Sequence, residues 1–160
     1  MPVIRSLRLP DEAATAAFAA AMAPLLRPGD ALLLDGPLGA GKTSFARALI
    51  RSLSNPEAEV PSPSFNLVLT YDTPVATLWH FDLYRIGDPR ELDELGIEEA
   101  LSDGITLIEW PERLGAQIPA DALTIRFSAV EGDADQRDVA LIGGPRWQQR
   151  LSSLSSPAHA

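Results

Sequence analysis

The sequence predicts an α/β fold in three layers: a central, mostly parallel sheet with antiparallel strands at its flanks and helices on both faces. Three observations predict it. Short continuous apolar runs at 31–34 and 105–108 suit strands buried on both sides. The first of these leads directly into a glycine-rich turn and a helical segment, a strand–turn–helix sequence. A chain of 160 residues is also long enough to bury one sizeable core and too short for a second catalytic domain.

Residues 3–9 alternate as a strand does, and Pro10 is expected in the first turn of the following helix, with Asp11 and Glu12 at its positive end. That helix should end at Arg27-Pro28-Gly29-Asp30. Its alanine-rich part is not a secretory signal, because acids flank it and Pro24 interrupts it. After the strand at 31–34 and the helix at 43–53, residues 54–64 hold prolines at 56, 61 and 63 and read as a surface loop. Strands are expected at 66–71 and 75–81 around the Asp72-Thr73-Pro74 turn, then two short helices within 88–102 with Gly96 between them. A second buried strand covers 104–109 and ends at a turn led by Pro111. A hairpin then pairs 122–130 with 137–142 across Glu131-Gly132-Asp133. The composition of 152–160 is small and polar, so the single domain is expected to span 1–151 and to be followed by a disordered tail.

Composition narrows the chemistry. Thirteen Lys and Arg against 22 Asp and Glu give a net charge of −9, a surface that repels phosphate backbones and argues against unassisted binding of DNA or RNA. The absence of cysteine excludes disulfides, thiolate metal sites and a cysteine nucleophile, and fits a reducing, cytoplasmic compartment. Only His80 and His159 are present, so no histidine metal cage can form, and His80 is expected to be structural.

The run Gly36-Pro37-Leu38-Gly39-Ala40-Gly41-Lys42-Thr43 satisfies G-x-x-x-x-G-K-[ST]. In this pattern backbone N–H groups wrap phosphates, the lysine reaches the outer phosphates and the hydroxyl ligates magnesium. By chance it should occur in roughly one chain of this length in a few hundred, at ordinary glycine usage. Its position between a buried strand and a helix sharpens it, since a helix N-terminus attracts anions. Lys42 is moreover the only lysine; the other twelve basic residues are arginines. A compact ammonium fits inside such a loop where a planar guanidinium would not. With no second lysine, the N-K-x-D element that reads guanine cannot exist here, and Asp93-Glu94-Leu95-Gly96 matches D-x-x-G by letters alone. Two acids at strand ends, Asp82 and Glu109, are the candidates to complete a magnesium site.

Four ordered segments carry a resemblance: 36–44, Val60-Pro61-Ser62-Pro63-Ser64-Phe65, His80-Phe81-Asp82-Leu83-Tyr84-Arg85 and Leu107-Ile108-Glu109-Trp110-Pro111-Glu112. Together they resemble the bacterial TsaE family, over about 10–123. Ser64 stands where that family often has threonine and Pro37 where an acid is common. The resemblance implies a phosphate-loop NTPase fold. It also implies a weak ATPase needed for the threonylcarbamoyl adenosine modification of tRNA and activated by a partner heterodimer of the TsaB-TsaD type, with tRNA met only through those partners. It implies ATP held by Gly36, Leu38, Gly39, Ala40, Gly41, Lys42, Thr43 and Ser44, with Pro10 and Glu12 beside the adenine and Ser64 and Trp110 at the site. Magnesium would be held by Thr43 and Glu109, with Asp82 metal-linked or catalytic beside Lys42, and 62–65 would form a switch-like loop.

Two other classes compete. A small-molecule phosphate-loop kinase would need an acceptor pocket and a mobile lid rich in arginine, and no such lid is visible: Arg85 and Arg90 flank one loop while Arg47 and Arg51 belong to the motif's own helix. A nucleotide-dependent binding module would share the loop but never hydrolyse.

Overall fold

The protein is described by a computed structural model over residues 2–37, 39–63 and 66–154. In chain order the elements are β1 (Val3–Leu9), α1 (Glu12–Met22), β2 (Ala31–Asp35), α2 (Lys42–Leu53), β3 (Val68–Tyr71), β4 (Leu78–Asp82), α3 (Arg90–Glu94), α4 (Ile97–Asp103), β5 (Ile105–Glu109), β6 (Leu123–Val130), β7 (Asp133–Ile142) and α5 (Pro145–Arg150). Short 3₁₀ turns follow α1, β5 and α5.

One seven-stranded sheet runs in the order β1-β7-β6-β2-β5-β4-β3. The pairings β6–β2, β2–β5 and β5–β4 are parallel; β1–β7, β7–β6 and β4–β3 are antiparallel. The expected mostly parallel sheet is therefore parallel only across its four central strands, and the sheet as a whole is mixed. Burial explains the division. Every residue of β5, and the first four of β2, are buried, as strands covered on both faces must be. Strands β1 and β7 instead bury only alternate residues near their ends, Leu7 and Leu9 of the one and Val139 and Leu141 of the other.

Two cores flank the sheet. Leu32 and Leu34 of β2 join Phe18, Met22, Phe45, Leu49 and Ile50 from α1 and α2, while Ala31 and Leu33 face Leu92, Ile97 and Ala100 from α3 and α4. Rings of Phe18, Phe45 and Phe127 stack in sequence at 5.3 and 5.7 Å, tying α1 to α2 and α2 to β6.

Several boundaries differ from the sequence reading. Pro10 lies outside α1, because Asp11 is the N-cap, its carboxylate accepting the Ala14 N–H at 2.8 Å. The link from β3 to β4 is longer than three residues, since the Thr73 hydroxyl accepts the N–H of Val75 and of Ala76 and donates to the Ala76 carbonyl, closing its own turn. The last hairpin turns tightly, so β7 starts at Asp133 rather than at 137.

The chain also does not stop being ordered at 151. Residues 151–153 form a 3₁₀ turn, Leu154 is buried, and its carbonyl accepts a bond from Arg5. Residues 155–160 of the expected tail lie outside the described residues. The sequence reading missed α5. Trp147 seats it, with the indole N–H donating to the Asp121 carbonyl at 2.6 Å. Asp30, at the entry to β2, is 1% exposed and accepts from the Arg27 N–H, Arg146 and Arg150 at 2.7, 3.2 and 2.5 Å.

Removing Asp30 would leave the buried Arg150 guanidinium without its acid. Asp30→Ala should lower the unfolding free energy by about 3 kcal/mol, whereas Arg146→Ala, which removes a half-exposed partner, should cost less than about 1 kcal/mol. Urea unfolding checks both; equal losses would mean that Asp30 is not the anchor of α5.

Candidate nucleotide site

The C-terminal ends of β2, β4 and β5 open on one edge of the sheet, where open α/β sheets place their ligands. Gly36 and Pro37 leave β2 at this edge, and 39–41 feed α2. Gly36 must be glycine: its φ is +139°, and a Cβ there would sit 2.4 Å from the Phe127 carbonyl oxygen on β6. Gly41 caps α2 with a left-handed φ of +105°. The first turn of α2 thus points its N–H groups into a cleft of about 240 Å³.

Lining this cleft are Gly39, Gly41, Lys42, Thr43, Ser44, Ser62, Asp82, Glu109, Trp110 and Arg137. Lys42 is buried, and its ammonium donates to the Gly36 carbonyl at 2.6 Å. The same nitrogen lies 3.6 Å from the centre of the Trp110 ring. Burial pushes the Lys42 ammonium below its ordinary range, while Glu109, Glu112, Asp35 and Asp82 push back up. Trp110 holds its ring there from a left-handed backbone, φ 61° and ψ 54°, which for a bulky residue costs of order 1 kcal/mol or more. Tyr84 tilts against the same ring, its centroid 4.9 Å away.

Strand alternation decides which acids meet the loop. Leu78 of β4 and Ile105 and Leu107 of β5 face α2, so by period two His80, Asp82 and Glu109 share that face. The Thr43 hydroxyl donates to Glu109 Oε1 at 3.2 Å, joining residues 66 positions apart. Glu109 Oε2 lies 2.7 Å from His80 Nε2. Asp82 is opposite Glu109 in the β4–β5 register, and one of its oxygens accepts the Tyr84 N–H at 3.1 Å.

The structure brings together most of the residues read from the sequence, and sets some apart. Gly36 contributes its carbonyl rather than a wall of the cleft, and Ala40 is buried beneath the loop. Glu12 lines a second hollow with Thr15, Gly41, Ser44, Asp135 and Arg137, continuous with the first through Gly41, Ser44 and Arg137. Pro10 is exposed just outside α1 and lines neither hollow. Leu38, Ser64 and Phe65 lie outside the described residues. Ser62 lines the cleft, and Val60 before it is buried, its carbonyl held by Arg47.

Arg137 was missed. Its guanidinium donates to the carbonyls of Gly39, Ala134 and Gln136, and its side chain packs over Gly41. Nothing local marks it, because only the parallel β6–β2 pairing brings the β6–β7 hairpin beside the glycine-rich loop.

Comparison with known proteins agrees with this geometry. The family model described as "Threonylcarbamoyl adenosine biosynthesis protein TsaE" matches residues 9–139. A TsaE protein of Rickettsia bellii is 42% identical over 125 residues, 78% of this chain and 87% of that one. One of Bacillus subtilis is 35% identical over 143 residues, 88% of this chain and 87% of that one. A crystal structure of Bacillus subtilis YdiB superimposes with a TM-score of 0.76 at 28% identity, covering 94% of this chain and 93% of that one. With the motifs, the sheet and the cleft in one register, the chain belongs to the TsaE family.

Proposed function

We propose that this protein is a magnesium-dependent ATP-binding protein and weak ATPase that serves the threonylcarbamoyl adenosine modification of tRNA by acting on a partner complex of the TsaB-TsaD type. The observation that carries the reading is the convergence of Lys42, the Thr43 hydroxyl and the Glu109 carboxylate in one cleft at the start of α2. Family membership supports the pathway, since the relatives in R. bellii and B. subtilis are named tRNA threonylcarbamoyladenosine biosynthesis proteins. The chain's net charge of −9 supports contact with tRNA only through partners. Its lack of cysteine fits a cytoplasmic setting.

On this reading the N–H groups of the loop and of the first turn of α2 take the phosphates, where the helix end is positive. The Lys42 ammonium leaves the Gly36 carbonyl for the outer phosphates, and Arg137, which lines the same cleft over Gly41, supplies a second cation. Glu12, in the second hollow, lies on the adenine side. The residues fit a magnesium ion: Thr43 Oγ1 and Glu109 Oε1 are hard oxygen donors 3.2 Å apart, facing the cleft. Bound there, the ion would neutralise charge on the phosphates. Asp82, fixed by the Tyr84 N–H, orients the attacking water and accepts its proton. Trp110 shields the reacting groups from solvent. Residues 60–65 are the nucleotide sensor in this reading: Val60 anchors one end, prolines restrict it, and Ser62 already faces the cleft. A difference in affinity for the partner between the ATP and ADP states is then the whole output.

Lys42→Ala should lose about 10–100-fold in ATP affinity, the worth of charge-assisted bonds, while circular dichroism shows an intact fold. Unchanged affinity in the folded variant would remove the phosphate-loop reading. Asp82→Asn should bind ATP normally but lose about a hundredfold or more in hydrolysis measured with and without the partner proteins. Normal partner-stimulated turnover would make Asp82 a strand cap; phosphoryl transfer to a small acceptor would indicate a kinase instead.

A further inference from the structure

His80 occupies a position in β4 where an apolar side chain would be the cheaper choice. It is 1% exposed on the α2 face of the central sheet, two β4–β5 register steps before the Asp82–Glu109 pair. Its Nδ1 is buried with no hydrogen-bond partner among the described residues. A buried polar atom left that way costs about 1–3 kcal/mol. Nε2, in contrast, lies 2.7 Å from Glu109 Oε2, and Glu109 is itself 3% exposed. A carboxylate can only accept in such a contact, so Nε2 carries the hydrogen and Nδ1 is left as the bare lone pair. That is the cheaper of the two arrangements, since an acceptor without a partner replaces a buried N–H without one.

We infer that His80 is a positioning residue for the metal site: its Nε2–H holds Glu109 Oε2, so that Oε1 stays turned toward the Thr43 hydroxyl. This rests on the magnesium nucleotide reading proposed above. Both oxygens of Glu109 are then assigned, one to β4 and one to the first turn of α2. Without His80 the Glu109 side chain loses what orients it. Its inner oxygen would be buried unpaired or would rotate outward, and either change takes Oε1 from the place where it meets Thr43. Groups behind a metal ligand act in this way, and losing one usually costs 10–100-fold in metal affinity. The strand geometry supports the choice of histidine: a diagonal neighbour across two parallel strands is reached by a side chain of this length and not by serine or threonine.

The test uses Mn²⁺ as a probe of the magnesium site, with its free concentration read by electron paramagnetic resonance in the presence of saturating ADP. His80→Leu should weaken Mn²⁺ binding at least tenfold, and His80→Gln, which can still donate, should recover part of the loss. ADP affinity in EDTA should be the same in all three proteins. Mn²⁺ binding by His80→Leu equal to that of the wild type would overturn the inference alone. A wild type that binds ADP without recruiting Mn²⁺ would overturn the metal reading, and the inference with it. Should the leucine variant fail to fold, ¹⁵N spectra of wild-type His80 decide: a hydrogen on Nε2 that shifts on adding Mg²⁺ with ADP supports the positioning role, and an Nδ1–H tautomer overturns it.

Discussion

The hydrogen bond from Thr43 to Glu109 is the contact through which the fold and the candidate site constrain each other. It joins the first turn of α2 to the last residue of β5, two segments far apart in the chain. For it to form, β5 must lie next to β2, and Glu109 must fall on the α2 face of its strand. A slip of one residue in the β2–β5 register would turn Glu109 toward the other core. The buried runs on both strands prevent such a slip, because Ile105 and Leu107 of β5 are already committed to one core and Ile108 to the other. Packing on both faces therefore fixes the position of the acid.

The electrostatics of the cleft follow from the same placement. Glu109, Glu112, Asp35 and Asp82 all act on the single lysine, which burial would otherwise favour losing its proton. In the structure Lys42 spends its charge on the Gly36 carbonyl and the face of Trp110. Two of these acids, Asp82 and Glu109, line the cleft itself, and on the proposed reading they suit a polyphosphate that arrives with a divalent cation. Arg137 adds a positive wall, held by three backbone carbonyls that a stronger acceptor would displace it from. The left-handed backbone at Trp110 fits this picture, since strain of that kind persists where surrounding contacts hold it.

Much of this was legible in the sequence. The glycine pattern, the lone lysine and the apolar strands ending in Asp82 and Glu109 are local signals, and each carries its chemistry with it. The three-layer α/β plan followed from the same runs. What could not be read locally depends on pairing over long distances. Arg137 is an ordinary strand arginine until the β6–β7 hairpin is laid beside β2. Helix α5 has only six residues and little periodicity; it is held by Trp147 and by the ion pairs of Asp30, which no local pattern announces. The direction of β1 could not be read, because alternation marks a strand without marking its direction, whereas the antiparallel β3–β4 and β6–β7 pairs are announced by their turns. His80 read as structural from the scarcity of other ligands, and its bond to Glu109 is visible only once β4 and β5 are side by side.

Calorimetric titration of ADP, in Mg²⁺ and in EDTA, into the wild type and Glu109→Gln tests the central claim most directly. In the wild type Mg²⁺ should tighten ADP binding by about tenfold or more, roughly 1.4 kcal/mol, whereas Glu109→Gln should bind ADP in EDTA at least as well and gain little from the ion. An equal gain from Mg²⁺ in both proteins would contradict the assignment of the Thr43–Glu109 pair as the place where the metal nucleotide is held.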